Sequence, residues 1–200
     1  MFWSLMYAFI ALLILLTAFL HLLLPRIFNN RPLYSLLALL FALLILLLPV
    51  KEVPMFYYLR GYVGDLSITS SIFLSAFIIQ RGGGRLLYEV TEKQYLLWAA
   101  ALTGLFLYPL ALGLGQFDPY RLGYEPQLLL SILFFLAIYL WYKTYYFLLF
   151  LVTSAVLAFI SGVLESANLW DYLLDGVLWL FALASVIYTV LKTTIKRVWK

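Results

Sequence analysis

Three carboxylates in the C-terminal part of the chain have the spacing most suggestive of chemistry: Glu165, Asp171 and Asp175. Asp171 and Asp175 are four residues apart, which on a helix places both on one face, one turn from each other. Paired carboxylates can act as general acid and base or share a divalent cation. We therefore expect these acids to line one path that opens outward.

Asp175 is the most informative of the three because of its predicted depth in an apolar helix. That helix is predicted to begin near Leu169, so Asp175 would lie ~10 Å along the axis from Asn168. A carboxylate at that depth in a membrane is expensive and faces a bundle interior or a water-filled cavity. The structural alternative is that Asn168 and Asp171 form a capping box while Asp175 bonds to a neighbouring helix.

The segment from Arg60 to Ser67 is a second candidate site. Arg60 and Asp65 would lie at one helix end, where an arginine can bind the phosphate of an anionic lipid in a bidentate manner. In the alternative interpretation Asp65 is only the N-cap of the helix that follows. Ser67, Ser71 and Ser75 recur every four residues and would then form a close contact between helices.

Other kinds of chemistry are excluded by residue type. The chain has no cysteine, which excludes disulfides, thiolate nucleophiles and thiolate metal sites. Its one histidine, His21, excludes a multi-histidine metal site and is expected at a membrane interface. The outer loop 116–126 carries Asp118, Arg121 and Glu125, which we interpret as parts of a compact turn. We predict neither a resident metal nor a cofactor.

The composition indicates that lipid is the solvent for most of the chain. Of its 200 residues 66% are hydrophobic and only 11% are charged, with a mean hydropathy of +1.03. Soluble domains are about 45–50% apolar and about 25% charged. The basic residues are scattered over short loops and one tail, without the basic stripe of a nucleic-acid-binding face. Nucleic acid is therefore excluded as a partner.

Seven apolar segments predict an all-α, polytopic transmembrane helix bundle that forms a single domain over residues 1–200. Residues 127–164 would measure ~57 Å as one helix, nearly twice the hydrocarbon thickness, so we divide them at the polar turn around Lys143. The predicted spans are 2–24, 33–50, 66–80, 94–114, 127–142, 145–164 and 169–191.

The distribution of basic residues predicts an orientation. With seven spans, ten of the 13 Lys and Arg residues fall in one set of loops and the C-terminal tail. The other set of loops contains only Lys51, Arg60 and Arg121. Because positively charged loops stay on the cytoplasmic side, the N-terminus is predicted outside and the C-terminus in the cytoplasm.

Three functions are compatible with these features. The first is a non-catalytic subunit of a larger bacterial envelope or membrane complex, favoured because no catalytic or nucleotide-binding motif is present. The second is an enzyme or carrier that acts on a lipid-linked anion at the outer leaflet through Asp65, Asp171 and Asp175. The third is a transporter in which Asp175 titrates, which the lack of an inverted repeat disfavours.

The expected surroundings follow from the same observations. We place the chain in the bacterial cytoplasmic membrane as a multi-pass protein, since no Asn-x-Ser/Thr sequon occurs. The basic tail 192–200 is expected to bind anionic lipid, at about 1 kcal/mol per charge. Its protein partner would be another membrane protein or a second copy of the chain.

Overall fold

The computed structural model describes residues 2–28 and 31–198, without the side chains of residues 197 and 198, and this part of the chain is all-helical. Helix accounts for 77% of the residues. The helices are α1 (Phe2–Leu23), α2 (Pro25–Phe28), α3 (Pro32–Leu47), α4 (Met55–Val63), α5 (Ile68–Arg81), α6 (Val90–Ala111), α7 (Gln127–Tyr142), α8 (Tyr146–Ile160), α9 (Trp170–Leu173) and α10 (Gly176–Val198). The last two residues of the predicted basic tail lie outside the described residues.

Three short elements lie in the connections between these helices. A 3₁₀ helix, Pro119–Gly123, lies between α6 and α7. Two strands of two residues, β1 (Pro49–Val50) and β2 (Val53–Pro54), pair antiparallel between α3 and α4.

Three of the described helices are long and apolar enough to cross a membrane: Phe2–Leu23, Val90–Ala111 and Gly176–Lys196. Helices α4 and α5 together are also long and apolar enough for one span, but the chain bends by 117° between them. Helices α3, α7 and α8 are apolar but have only 15 or 16 residues, and a span needs about 17–25. The described chain thus has three to four candidate spans, which indicates membrane association and leaves the predicted count of seven unconfirmed.

Several helices begin or end at residues other than those predicted, each for a local reason. The segment predicted at 33–50 stops at Leu47, because Pro49 cannot continue a helix and Leu48 before it is extended. The segment predicted at 145–164 stops at Ile160, where Gly162 adopts φ 63°, a conformation that suits glycine. The segment predicted at 94–114 begins earlier, at Val90, because a capping box starts the helix there.

The largest correction concerns the segment predicted as one helix at 169–191. The structure has two helices here, α9 and α10, separated by Leu174 in an extended conformation and by Asp175. The Asp175 carboxylate accepts a hydrogen bond from the backbone N–H of Leu178 at 2.8 Å, as an N-cap does. A residue that caps a new helix interrupts the old one, so Asp175 lies at a helix start and not inside a helix.

The packing places α5 at the centre, between α1 and α8. Helix α3 packs on α1, α7 packs on α8, and α6 packs on α10. The contact between α6 and α10 is close: a Cβ at Gly104 would lie 2.1 Å from Trp179 Cδ1, so only glycine fits there. We call the end of the bundle where α5 and α10 begin the upper end, and the end where α6 and α8 begin the lower end.

His21 joins α1 to α3 and is fully buried within the protein. Its Nδ1 lies 2.9 Å from the carbonyl oxygen of Thr17, and its Nε2 lies 2.9 Å from Ser35 Oγ. Since a carbonyl only accepts, Nδ1 is the donor to Thr17, and the second ring nitrogen is left for Ser35. The histidine therefore has a structural role.

Candidate functional site

Asp175 binds the backbone at the starts of two helices. Its Oδ2 accepts from the N–H of Ser67, the N-cap of α5, at 2.8 Å, and its Oδ1 accepts from Leu178 in the first turn of α10. Helix N-termini have unpaired N–H groups and a partial positive charge, so one carboxylate there gives two charge-assisted hydrogen bonds. Both oxygens of Asp175 are thus engaged by the protein itself.

The start of α5 is held further by Tyr7 from α1. The Tyr7 hydroxyl lies 3.0 Å from the carbonyl oxygens of Leu66 and Ser67 and 2.8 Å from Ser71 Oγ. Ser67 is the N-cap of α5, and its hydroxyl accepts from the N–H of Ser70 at 3.1 Å. The interpretation of Asp65 as the N-cap is therefore wrong, because a serine two residues later holds the first turn.

Asp65 instead pairs with Arg60 across the bend between α4 and α5. Arg60 Nε donates to Asp65 Oδ1 at 2.8 Å and Arg60 Nη2 donates to Asp65 Oδ2 at 2.9 Å, a bidentate pair. Arg60 Nη2 also lies 3.2 Å from Glu165 Oε1, which accepts from the Ser4 hydroxyl at 3.1 Å. The Asp65 and Arg60 side chains are about one-fifth exposed and Glu165 is half exposed, so this cluster lies at the protein surface.

Asp171 binds a different part of the chain. Its Oδ1 accepts from the Tyr120 hydroxyl at 2.7 Å and its Oδ2 from the Ser166 hydroxyl at 2.5 Å. Burial, and then the hydrogen bond to Asp171, raise the pKa of Tyr120 above its ordinary value, so the phenol remains a donor. Asp171 thereby joins the loop after α8 to the 3₁₀ helix.

Asn168 completes this junction between two loops. Its Nδ2 donates to the carbonyl of Tyr120 at 3.0 Å, while its Oδ1 accepts from the N–H of Trp170 at 2.9 Å. A Cβ on Gly123 would lie 1.7 Å from Asn168 Oδ1, so the close approach requires glycine. Asn168 and Asp171 do not act as a reciprocal capping box, because Asp171 is turned toward Tyr120 and Ser166.

The five predicted site residues therefore have three sets of partners. Arg60, Asp65 and Glu165 form one ionic cluster, while Asp175 and Asp171 each bind other groups. Asp171 and Asp175 do not share a helix face, because the helix is interrupted at Leu174. Among the described residues, no group of three or more His, Asp or Glu is arranged to hold a metal ion.

Glu92 is a buried carboxylate that the sequence analysis missed. Its Oε2 accepts from the N–H of Glu89, the N-cap of α6, at 3.0 Å. Its Oε1 accepts from the N–H of Phe147 in the first turn of α8 at 2.9 Å. Glu92 thus joins two helix starts at the lower end as Asp175 does at the upper end. The Glu89-x-x-Glu92 spacing before an apolar run was the available signal for its capping role.

Two apolar cavities flank these polar clusters. One, of about 500 Å³, lies between α6 and the pair α7 and α8, and its wall includes Thr69, Thr103 and Tyr139 among aliphatic and aromatic side chains. The other, of about 290 Å³, lies along α5 between α1 and α10. None of the five predicted site residues lines either cavity.

Comparison of the chain with protein-family models, with curated proteins and with solved structures gives no match. The interpretation of these sites therefore depends on their geometry.

The arrangement at Asp175 predicts a stability effect. Asp175→Asn replaces one acceptor oxygen by an NH₂ group, so one buried helix N–H loses its partner and the free energy of unfolding falls by about 1–3 kcal/mol. Asp118→Asn is the matched control. Its carboxylate accepts one N–H in a loop, and the amide oxygen can replace it, so we expect a change within about 0.5 kcal/mol. Denaturant titration in detergent measures both, and equal stability of the two variants would contradict the assignment.

Proposed function

We propose that this chain is a seven-span protein of the bacterial cytoplasmic membrane that serves as a non-catalytic subunit of a larger membrane complex. The observation that carries the proposal is what the carboxylates bind. Asp65, Asp171 and Asp175 bind groups of the chain itself, while the cavity of about 500 Å³ is apolar and partly open. An enzyme or carrier for a lipid-linked anion would need those carboxylates facing a substrate, so it ranks below the subunit.

The directions of the helices support seven crossings. In a chain that crosses at α1, α3, α5, α6, α7, α8 and α10, α5 and α10 must run the same way, and α6 and α8 the opposite way. The Asp175 contact joins the starts of α5 and α10, and the Glu92 contact joins the starts of α6 and α8. With this count the upper end is the outside and the basic loops and tail lie in the cytoplasm.

The short helices fit this topology if loops fill the outer part of the membrane. Helices of 14–16 residues measure ~21–24 Å, against ~30 Å of hydrocarbon. Their upper ends are continued by the segments 48–67, 112–126 and 161–175. Irregular backbone is tolerated at membrane depth where protein groups satisfy it. The side chains of Ser166, Asn168 and Tyr172 supply such partners to backbone groups.

Single cysteines test the topology, because the chain has none of its own. We expect Arg85→Cys and Lys143→Cys to resist a membrane-impermeant maleimide in intact cells and to react after lysis. Gln116→Cys, in the loop at the opposite end, should react in intact cells. Labelling of Lys143→Cys from outside would contradict the separate crossings of α7 and α8.

The cavity beside α6 is a surface against which a partner helix can pack. α6 presents Ala99 and Thr103 to it, four residues apart, and small residues at this spacing let helix backbones approach closely. Thr69 and Tyr139 line the same cavity, and residues with hydroxyl groups can hydrogen-bond across a helix interface. We therefore assign this cavity to one transmembrane helix of a different polypeptide.

Photocrosslinking tests the partner. A photoreactive phenylalanine at Trp98 or Leu136, both in the cavity wall, should give one adduct heavier than the chain in source-cell membranes. The same group at Phe135, exposed on α7 and outside that wall, should not. Ala99→Leu adds bulk where a second helix would approach and should weaken the adduct, and Leu102→Ala, exposed on α6, should leave it.

Three results would contradict the subunit function. They are an adduct of twice 23.1 kDa, which identifies a second copy; an adduct unaffected by Ala99→Leu; or a monomer that yields only lipid adducts from Trp98 and Leu136.

A further inference from the structure

A groove of about 290 Å³ runs along one face of α5 and is separate from the cavity assigned to a partner helix. Its floor consists of residues at positions i, i+3, i+4, i+7 and i+11, the pattern of one helix face. These floor residues are Ser70, Phe73, Leu74, Phe77 and Arg81. One wall comes from α1 and the other from α10, with Leu15, Ala18, Phe19, Leu22, Val177, Leu178 and Phe181.

The groove is apolar except at its lower end, where two cations line it. Arg81 is the last residue of α5, and Lys93 is in the first turn of α6. The Arg81 guanidinium lies over the Phe77 ring, 5.3 Å from its centroid, which holds the charge beside the groove. Lys93 is half-buried and has no carboxylate within ion-pair distance among the described residues.

The acids nearest in sequence to Lys93 are engaged elsewhere. Glu92 accepts from two backbone N–H groups, those of Glu89 and Phe147. The Glu89 carboxylate accepts from the Thr91 hydroxyl at 3.2 Å and caps its own helix. The lower end of the groove is therefore complementary to an anion.

The length of the groove matches one leaflet of a bilayer. Ser70 and Arg81 are eleven residues apart on α5, which is ~16 Å of helix. Half of the hydrocarbon core is about 15 Å. We propose that the groove binds an anionic phospholipid of the leaflet on the Arg81 side, with one acyl chain along α5 and the phosphate at Arg81 and Lys93. The two cations fit the phosphate of this lipid, and the apolar groove fits the length of its acyl chain.

Native mass spectrometry of the detergent-purified chain tests the site with phosphatidylglycerol and phosphatidylcholine of equal chain length. We expect a one-lipid complex with a clear preference for phosphatidylglycerol. Arg81→Gln with Lys93→Gln should reduce that preference by on the order of 30-fold, at about 1 kcal/mol per charge. The matched control, Arg85→Gln with Lys143→Gln, removes two exposed charges from the same end and should keep it.

Two further variants test separately whether lipid binding depends on the two charges and on the groove. Arg81→Lys with Lys93→Arg keeps both charges and should retain the preference, whereas loss of binding in this pair would overturn the charge assignment. Leu74→Trp narrows the groove and should weaken phosphatidylglycerol binding although both cations remain; unchanged binding would place the lipid on the surface instead. Equal binding of the two lipids by the wild type, or an added mass equal to a second chain, would overturn the proposal.

Discussion

The rest of the structure depends on one carboxylate that two helices share. A membrane offers no water to the unpaired N–H groups at a helix start, so each start needs a partner from the protein. Asp175 supplies one to α5 and one to α10, and its negative charge suits the positive ends of both helices. The starts of the central helix of the bundle and of the last helix are thereby held together at the upper end.

A carboxylate shared by two helix starts also occurs at the lower end of the bundle. Contacts to helix ends and loops engage most of the polar residues described above. Glu92 joins the starts of α6 and α8, while Asp171 and Asn168 hold the loop after α8 against the 3₁₀ helix. These groups close helix ends and loops instead of facing a substrate. What the bundle leaves open is apolar: a cavity beside α6 and a groove along α5. The proposed binding of a partner helix and of a lipid depends on these two apolar surfaces.

The all-helical architecture could be predicted from the sequence because long apolar segments permit little else. The break at Lys143 was also predictable, since α7 ends at Tyr142 and α8 begins at Tyr146 around a polar turn. The break at Asp175 was not, because the hydropathy around it favours one continuous helix. Its position depends on which helix starts meet in space, as does the contact between Glu92 and Phe147, 55 residues apart. The same limit applies to Asp65, whose pairing with Arg60 depends on the 117° bend.

Amide hydrogen exchange in detergent or nanodiscs tests the shared carboxylate most directly. Asp175→Ala removes both acceptor oxygens, so the amides of Ser67 and Leu178 should lose protection together. The amide of Phe147, held by Glu92 at the other end, should keep the protection it has in the wild type and shows that the bundle remains folded. Unchanged protection of Ser67 and Leu178 in the variant would contradict the claim that Asp175 joins α5 to α10.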